Sequence, residues 1–272
     1  MSLLEETKFL LKQNKILPNK LRGQNFLISE NILSKIIDSA NLNSGDNVLE
    51  IGPGIGTLTQ ALVKENVNLK VVELDEKLVK FLDKFRNLNN FEIIQGDILK
   101  INLGKILSLS FFKNYKIVAN LPYSISSRFL RIFLEYQYSP SEMILMLQKE
   151  VAERIINKDG KWSKLSVMCN FYSQPEYLFT VTKENFYPSP RVDSAVIRFK
   201  TRRPPGSVID QKRFWQLVNI GFSSKRRTLV NNLSHGLKIK KEEINELLEK
   251  GGLDENIRAE KLKIEDWLHL VK

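Results

Sequence analysis

Cysteine, histidine and long apolar runs are what this 272-residue chain has least of. A single cysteine, Cys169, excludes an internal disulfide, and with only two histidines it also excludes a Cys/His zinc site. No metal is therefore expected. No apolar run approaches the ~20 residues that cross a bilayer. The longest, near Met143–Leu147, is far too short, so no membrane partner is expected. The N-terminus carries Glu5 and Glu6 and lacks a signal-peptide core, which predicts a cytoplasmic protein. Acid is the scarcer charge, with 31 Asp plus Glu against 42 Lys plus Arg, a formal net charge of +11. Such an imbalance suits an anionic partner, a nucleic acid or an acidic surface, although a basic surface without a ligand satisfies it equally.

What is present is a globular composition, 42% hydrophobic and 27% charged, in a chain long enough to bury a core without covalent staples. Part of the positive charge is concentrated. Between Arg198 and Leu229 stand nine basic residues (among them Arg202, Arg203, Lys225, Arg226 and Arg227) and one acid, Asp210. Pro204-Pro205-Gly206 within this stretch reads as a linker. The expected division is a first domain over 1–203, with an N-terminal arm over 1–22, and a second over 204–272.

The first domain alternates strand and helix. Strands are predicted at Asn47–Ile51, Leu69–Glu73, Phe91–Gln95, Tyr115–Ala119 and Glu142–Leu147. Helices are predicted at Thr57–Lys64, Glu76–Phe85, Ser126–Tyr136 and Lys149–Ile156. The alternation implies an α/β fold, a parallel sheet covered on both faces. Ser166–Tyr172 and Ala195–Lys200 read as further, edge-like strands. After the linker, Asp210–Gly221, Arg227–Leu233, Lys241–Lys250 and Ile264–Val271 all read as helices, a small all-helical domain.

Three strand ends carry chemistry. The first is followed by Gly52-Pro53-Gly54-Ile55-Gly56, a turn through which a ligand can approach the backbone. It lacks both the Gly-x-Gly-x-x-Gly of dinucleotide sites and the Lys-Ser/Thr of a P-loop. Glu73 ends the second strand and can accept both hydroxyls of a ribose. Asp97, after the third, can accept from an adenine amine while Ile98 packs on the ring. Together they favour an adenosine-containing ligand and leave NAD and S-adenosylmethionine both open. Glu73 and Asp75 are read as facing apart, so no carboxylate pair is arranged for hydrolysis.

The fourth strand ends in Asn120-Leu121-Pro122-Tyr123. An exocyclic base amine is a poor nucleophile, its lone pair being delocalised into the ring. To be methylated it needs its hydrogens held by acceptors, so that the lone pair faces the donor. Asn120 offers a side-chain carbonyl, the Leu121 backbone a second acceptor, and Tyr123 a face for stacking, worth ~1–3 kcal/mol per base.

On these residues the chain resembles the small-subunit (16S) rRNA adenine N6-dimethyltransferases of the KsgA type. The resemblance runs from about Leu21 to Leu233 and also rests on Gly23–Leu27, Gln95-Gly96-Asp97, Leu147–Arg154 and Phe186–Ser194. It implies a Rossmann-like methyltransferase fold with a small helical C-terminal domain. It implies transfer of two methyls from S-adenosylmethionine to N6 of each of two adjacent adenosines in the 3′-terminal hairpin of small-subunit rRNA, leaving S-adenosylhomocysteine. By the resemblance, the cofactor contacts fall on Asn25, Leu27, Gly52, Glu73, Asp97 and Asn120, to which the reading of the residues adds Gly54 and Ile98, and the target-base contacts on Asn120, Leu121, Tyr123 and Phe186. Read from the residues, Phe186 supplies a second aromatic wall or a plain hydrophobic anchor, the wall being favoured. Arg128, Lys158, Lys161, Arg202, Arg203, Lys225, Arg226 and Arg227 are the candidate RNA contacts. The expected partner is immature small-subunit rRNA, bound by a monomer. The competing readings are an erythromycin-resistance-type large-subunit (23S) rRNA methyltransferase, a non-catalytic ribosome assembly factor and a mitochondrial transcription-factor relative. The Arg-rich transit peptide that the last requires is not seen.

Overall fold

A computed structural model describes residues 1–19, 23–107, 111, 114–202 and 210–271. Leu21, Arg22, Phe112, Arg203 and the Pro204-Pro205-Gly206 linker lie outside the described residues. The chain forms two compact units. One comprises Met1–Ala152 and Pro175–Thr201, the other Glu153–Gln174 and Arg202–Lys272.

The strands in chain order are β1 (Phe26–Leu27), β2 (Asn47–Ile51), β3 (Asn68–Glu73), β4 (Phe91–Gln95), β5 (Tyr115–Asn120), β6 (Glu142–Gln148), β7 (Ser173–Val181), β8 (Phe186–Tyr187) and β9 (Ser194–Thr201). Seven of them make one sheet in the order β4-β3-β2-β5-β6-β9-β7. From β4 to β6 every neighbour is parallel, and β9 runs antiparallel to β6. The central strands are near-continuous apolar runs because both their faces are buried, as in Val48, Leu49, Val71, Ile117, Val118 and Ile144. The chain steps outward from β2 to β4 and then returns to place β5 on the other side of β2. That reversal is the topological switch point, where open α/β sheets place their ligands. Apart from this sheet, β1 and β8 pair antiparallel, Phe26 opposite Tyr187 and Leu27 opposite Phe186.

The helices of this unit are α1 (Leu3–Gln13), α2 (Glu30–Ala40), α3 (Thr57–Lys64), α4 (Glu76–Val79), α5 (Leu103–Ile106), α6 (Ser126–Glu135) and α7 (Lys149–Ile155), which runs on into the second unit. Sequence patterning did not find α1 or α2. Both begin at a serine cap, Ser2 with a capping box to Glu5 and Ser29 accepting from Ile32. The predicted helix Glu76–Phe85 is one α-helical turn continued as a 3₁₀ helix from Lys80.

The second unit holds α8 (Lys164–Tyr172), α9 (Gln211–Gly221), α10 (Leu229–Leu237), α11 (Lys241–Lys250) and α12 (Ile264–His269). Its core gathers Phe171, Phe214, Leu217, Leu233, Leu248 and Trp267. Two sequence expectations are corrected here. Ser166–Tyr172 is helix, not strand: Ser163 and Ser166 form a capping box, and the strand follows at Ser173–Val181. The linear cut at 203/204 also gives way, because Val167 and Phe171 of α8 belong to the second core. Phe171 stacks on Phe214 with ring centroids 4.4 Å apart.

Candidate active site

β2 delivers its chain into the glycine turn at the switch point. Gly52, Gly54 and Gly56 have φ of +64°, +61° and +87°, a region that side chains with a Cβ rarely adopt. At Gly54 a Cβ would also lie 3.1 Å from the Phe26 ring. The Gly54 N–H donates to Glu73 Oε2 at 3.2 Å, and the Asp75 N–H donates to Glu73 Oε1 at 2.8 Å. Glu73 is 6% exposed. Burial pushes its carboxyl above the usual carboxylate range, against the pull of those two N–H groups.

These residues wall a cavity. Gln24, Asn25, Phe26 and Leu27 form one side, Glu50 and Gly52–Ile55 another, Glu73–Asp75 a third, and Asn120–Tyr123 the fourth. Among the described residues, three carboxyl groups line it (Glu50, Glu73 and Asp75) and no Lys, Arg or His does. Such a wall repels the diphosphate of a dinucleotide and suits a ligand carrying positive charge. The residues therefore fit the sulfonium and ammonium of S-adenosylmethionine. Leu74, 54% exposed although large and apolar, lines the cavity beside Glu73.

Opposite the glycine turn, β5 ends at Asn120. Its Nδ2 donates to the Asn25 backbone oxygen at 3.4 Å, which leaves the carbamoyl oxygen as an acceptor. The Leu121 N–H is taken by Met146 O, 3.3 Å away on β6, and this fixes the peptide at the strand end. Tyr123 shares a hydrogen bond with Ser194 Oγ at 2.7 Å. Burial pushes its phenol up, partly offset by that bond, so the ring stays neutral at physiological pH. The neutral phenol offers a ring face and not a base.

Of the predicted site residues, the structure brings Asn25, Leu27, Gly52, Gly54, Glu73, Asn120, Leu121 and Tyr123 to one cavity. Three stand apart from its lining. Phe186 is 3% exposed and packs in the sheet core, held opposite Leu27 by the β1–β8 pairing, so here it is an anchor and not an open wall. Ile98 is buried. Asp97 accepts from the Leu99 N–H at 3.0 Å and faces Lys100 Nζ at 3.7 Å. Glu73 and Asp75 do not face apart. Asp75 lies beyond the strand, as the N-cap of α4, and both line the same cavity. Gln24, Phe26, Leu74 and Asp75 were missed. Gln24 Nε2 donates to Asp75 Oδ2 at 3.3 Å, closing the wall between two distant segments. Only the neighbourhood of Gly23–Leu27 and of Glu73 hinted at them.

Among the candidate RNA contacts, Arg128, Lys161, Lys225, Arg226 and Arg227 are exposed. Lys158 is paired with Glu153 at 2.7 Å, and Arg202 Nη2 donates to Asn170 O at 2.5 Å. Arg198, counted in the basic stretch, is tied to Glu142 at 3.0 Å and Glu176 at 2.8 Å, so its charge is spent internally. Among the described residues no helix is long and apolar enough to cross a membrane, and no group of His, Cys, Asp and Glu could hold a metal.

A family model described as ribosomal RNA adenine dimethylase matches residues 17–272. A ribosomal RNA small subunit methyltransferase A of Dehalococcoides mccartyi is 39% identical over 270 residues, 98% of this chain and 91% of the relative. One of Mycoplasma capricolum is 38% identical over 254 residues, 92% of this chain and 95% of the relative. The crystal structure of a dimethyladenosine transferase from Plasmodium falciparum superposes with a TM-score of 0.73 at 26% identity, covering 90% of this chain and 95% of that one. The 23S rRNA methyltransferase ErmE gives 0.71 at 26% identity, covering 91% and 98%. Both likenesses support a Rossmann-like methyltransferase fold with a helical C-terminal part. By the extent of the family match and the level of identity, the chain belongs to the ribosomal RNA adenine dimethylase family.

Proposed function

We propose that this chain dimethylates N6 of two adjacent adenosines in the 3′-terminal hairpin of small-subunit rRNA, with S-adenosylmethionine as donor. The observation that carries the reading is the Asn120–Tyr123 turn opening onto a cavity that, among the described residues, is lined by three carboxyls and no cation. The donor, when bound, supplies an electrophilic methyl on a positive sulfur that becomes neutral on transfer. Gly52 and Gly54 would admit it close to the backbone, Glu73 would take its ribose hydroxyls, and Leu74 would cover its base.

The protein's own part is orientation. An adenosine taken out of its stack enters beside the donor site. The Asn120 carbamoyl oxygen and the Leu121 peptide oxygen accept the two N6 hydrogens, which turns the nitrogen lone pair toward the methyl. Tyr123, neutral and fixed by Ser194, stacks on the ring. No strong base is needed, because the proton leaves after the carbon–nitrogen bond has formed. After the first transfer one N6 hydrogen remains, and one acceptor then faces a methyl. The exposed Lys225, Arg226 and Arg227 hold phosphate without reading sequence. The reading includes a monomer acting in the cytoplasm on immature small subunits, which the buried, unpaired thiol of Cys169 suits.

The test offers labelled S-adenosylmethionine with immature small subunits and, separately, with mature large subunits. Label recovered as dimethyladenosine from small-subunit RNA alone is the expected result. Label on large-subunit RNA moves the substrate to the 23S class. Donor binding with no transfer to either leaves an assembly factor.

A further inference from the structure

We propose that Glu50 is the charge-matching residue of the donor cavity: its carboxyl holds a proton in the free protein and releases it to solvent when a ligand with a positive sulfur enters. The site thereby prefers the charged donor to the neutral-sulfur product. The inference rests on the methyltransferase reading above and deepens it.

Glu50 lies on β2 between Val71 of β3 and Val118 of β5, which offer it no polar contact, yet it lines the cavity. It is 1% exposed. From α3 the hydroxyl of Thr59, itself fully buried, donates to Oε2 at 2.7 Å. Among the described residues, the other charged or titratable groups on the cavity are Glu73 at the end of β3, Asp75 at the start of α4 and Tyr123 after β5. None of these supplies positive charge. Glu73 meets the same burial with two peptide N–H groups, which oppose the upward push on its carboxyl without cancelling it. For Glu50 an ionised state means a buried negative charge beside another, with one hydroxyl to hold it, so the protonated form is favoured. Burial pushes its carboxyl up to about 8, with Glu73 adding to the effect and Thr59 opposing it.

A positive ligand reverses this balance, because an opposite charge nearby favours the ionised carboxylate. The proton leaves through the cavity mouth, and attraction to the sulfonium replaces it. A product whose sulfur is neutral gains less. Loss of the sulfur's charge during transfer then restores the protonated state and loosens the product.

Isothermal titration calorimetry on the full-length protein tests this. S-Adenosylmethionine and S-adenosylhomocysteine are titrated into wild type, Glu50→Gln and Thr59→Val between pH 6.5 and 9, in buffers of different ionisation enthalpy. At pH 7 donor binding should release about one proton more from wild type than from Glu50→Gln, and product binding distinctly less. Relative to Glu50→Gln, wild-type donor affinity should rise up to about tenfold per pH unit until roughly pH 8. Thr59→Val, which removes the one hydroxyl opposing protonation, should move that plateau to higher pH. Equal proton release from wild type and Glu50→Gln, or equal release for donor and product, overturns the inference and leaves the methyltransferase reading intact. If neither ligand binds, both fall. Should Glu50→Gln not fold, an unmoved plateau in Thr59→Val is the overturning result.

Discussion

Asn120 is the residue on which the proposed chemistry turns, and its role is open to a direct measurement. Asn120→Ala should slow transfer ~10²–10³-fold, the usual cost of losing one positioned polar group, while donor affinity stays within a few-fold. Single-turnover transfer and equilibrium donor binding separate the two effects, and near-normal turnover would remove Asn120 from the mechanism. Tyr123 can be dissected in the same way. Tyr123→Phe loses only the Ser194 bond and should cost little, whereas Tyr123→Ala loses the stacking face and ~1–3 kcal/mol of target binding. Gly54→Ala should weaken donor binding and lower stability by ~1–3 kcal/mol, since φ is +61° and the new methyl meets Phe26 at 3.1 Å. Donor titration and thermal melts would show this. These three positions were legible in the sequence because each sits at or just past a strand end, where side-chain type and location together imply chemistry. Phe186 was not. Its burial depends on pairing with Leu27, a contact between remote segments that no local pattern announces.

At the scale of elements, local signals succeeded where strands are long apolar runs and failed where a short apolar run admits two periods. Ser166–Tyr172 reads as a strand in the sequence, and the capping box of Ser163 and Ser166 makes it a helix instead. The strand that was missed, β7, alternates only partly and contains Pro175, as an edge strand tolerates. Charge counting had a similar limit, since it credits Arg198 to a surface when two carboxylates hold it. The turn before α10 is different. Lys225, Arg226 and Arg227 are exposed, and replacing all three by glutamine should weaken RNA binding and reduce the slope of log affinity against log salt by up to about 2–3. Binding measured between 50 and 200 mM salt gives that slope, and an unchanged value would place the cluster outside the interface.

At the scale of the whole chain, a formal charge of +11 coexists with a cavity whose ionisable lining is acidic. On the proposed function the excess of positive charge would draw RNA while the cavity would favour a cation, so polymer and donor would not compete for the same field. The buried carboxyl of Glu50 carries a stability consequence as well. Its ordinary value is near 4.5 and folding raises it to about 8, so the folded state loses stability as pH climbs from one value to the other. Glu50→Gln should therefore melt higher than wild type without donor, with a gain growing by up to ~1.4 kcal/mol per pH unit across that window. Melts at pH 5, 6, 7 and 8 would reveal a constant gain if the carboxyl were not the cause. The short β1–β8 ribbon has a consequence for biosynthesis. Phe26 emerges early and Tyr187 late, and they must meet before the Phe26–Leu27 side of the cavity is paired in place. On the proposed function, a nascent chain halted short of β8 would have the glycine turn in hand yet an unfinished seat for the nucleoside, which would make donor retention a late marker of completed folding.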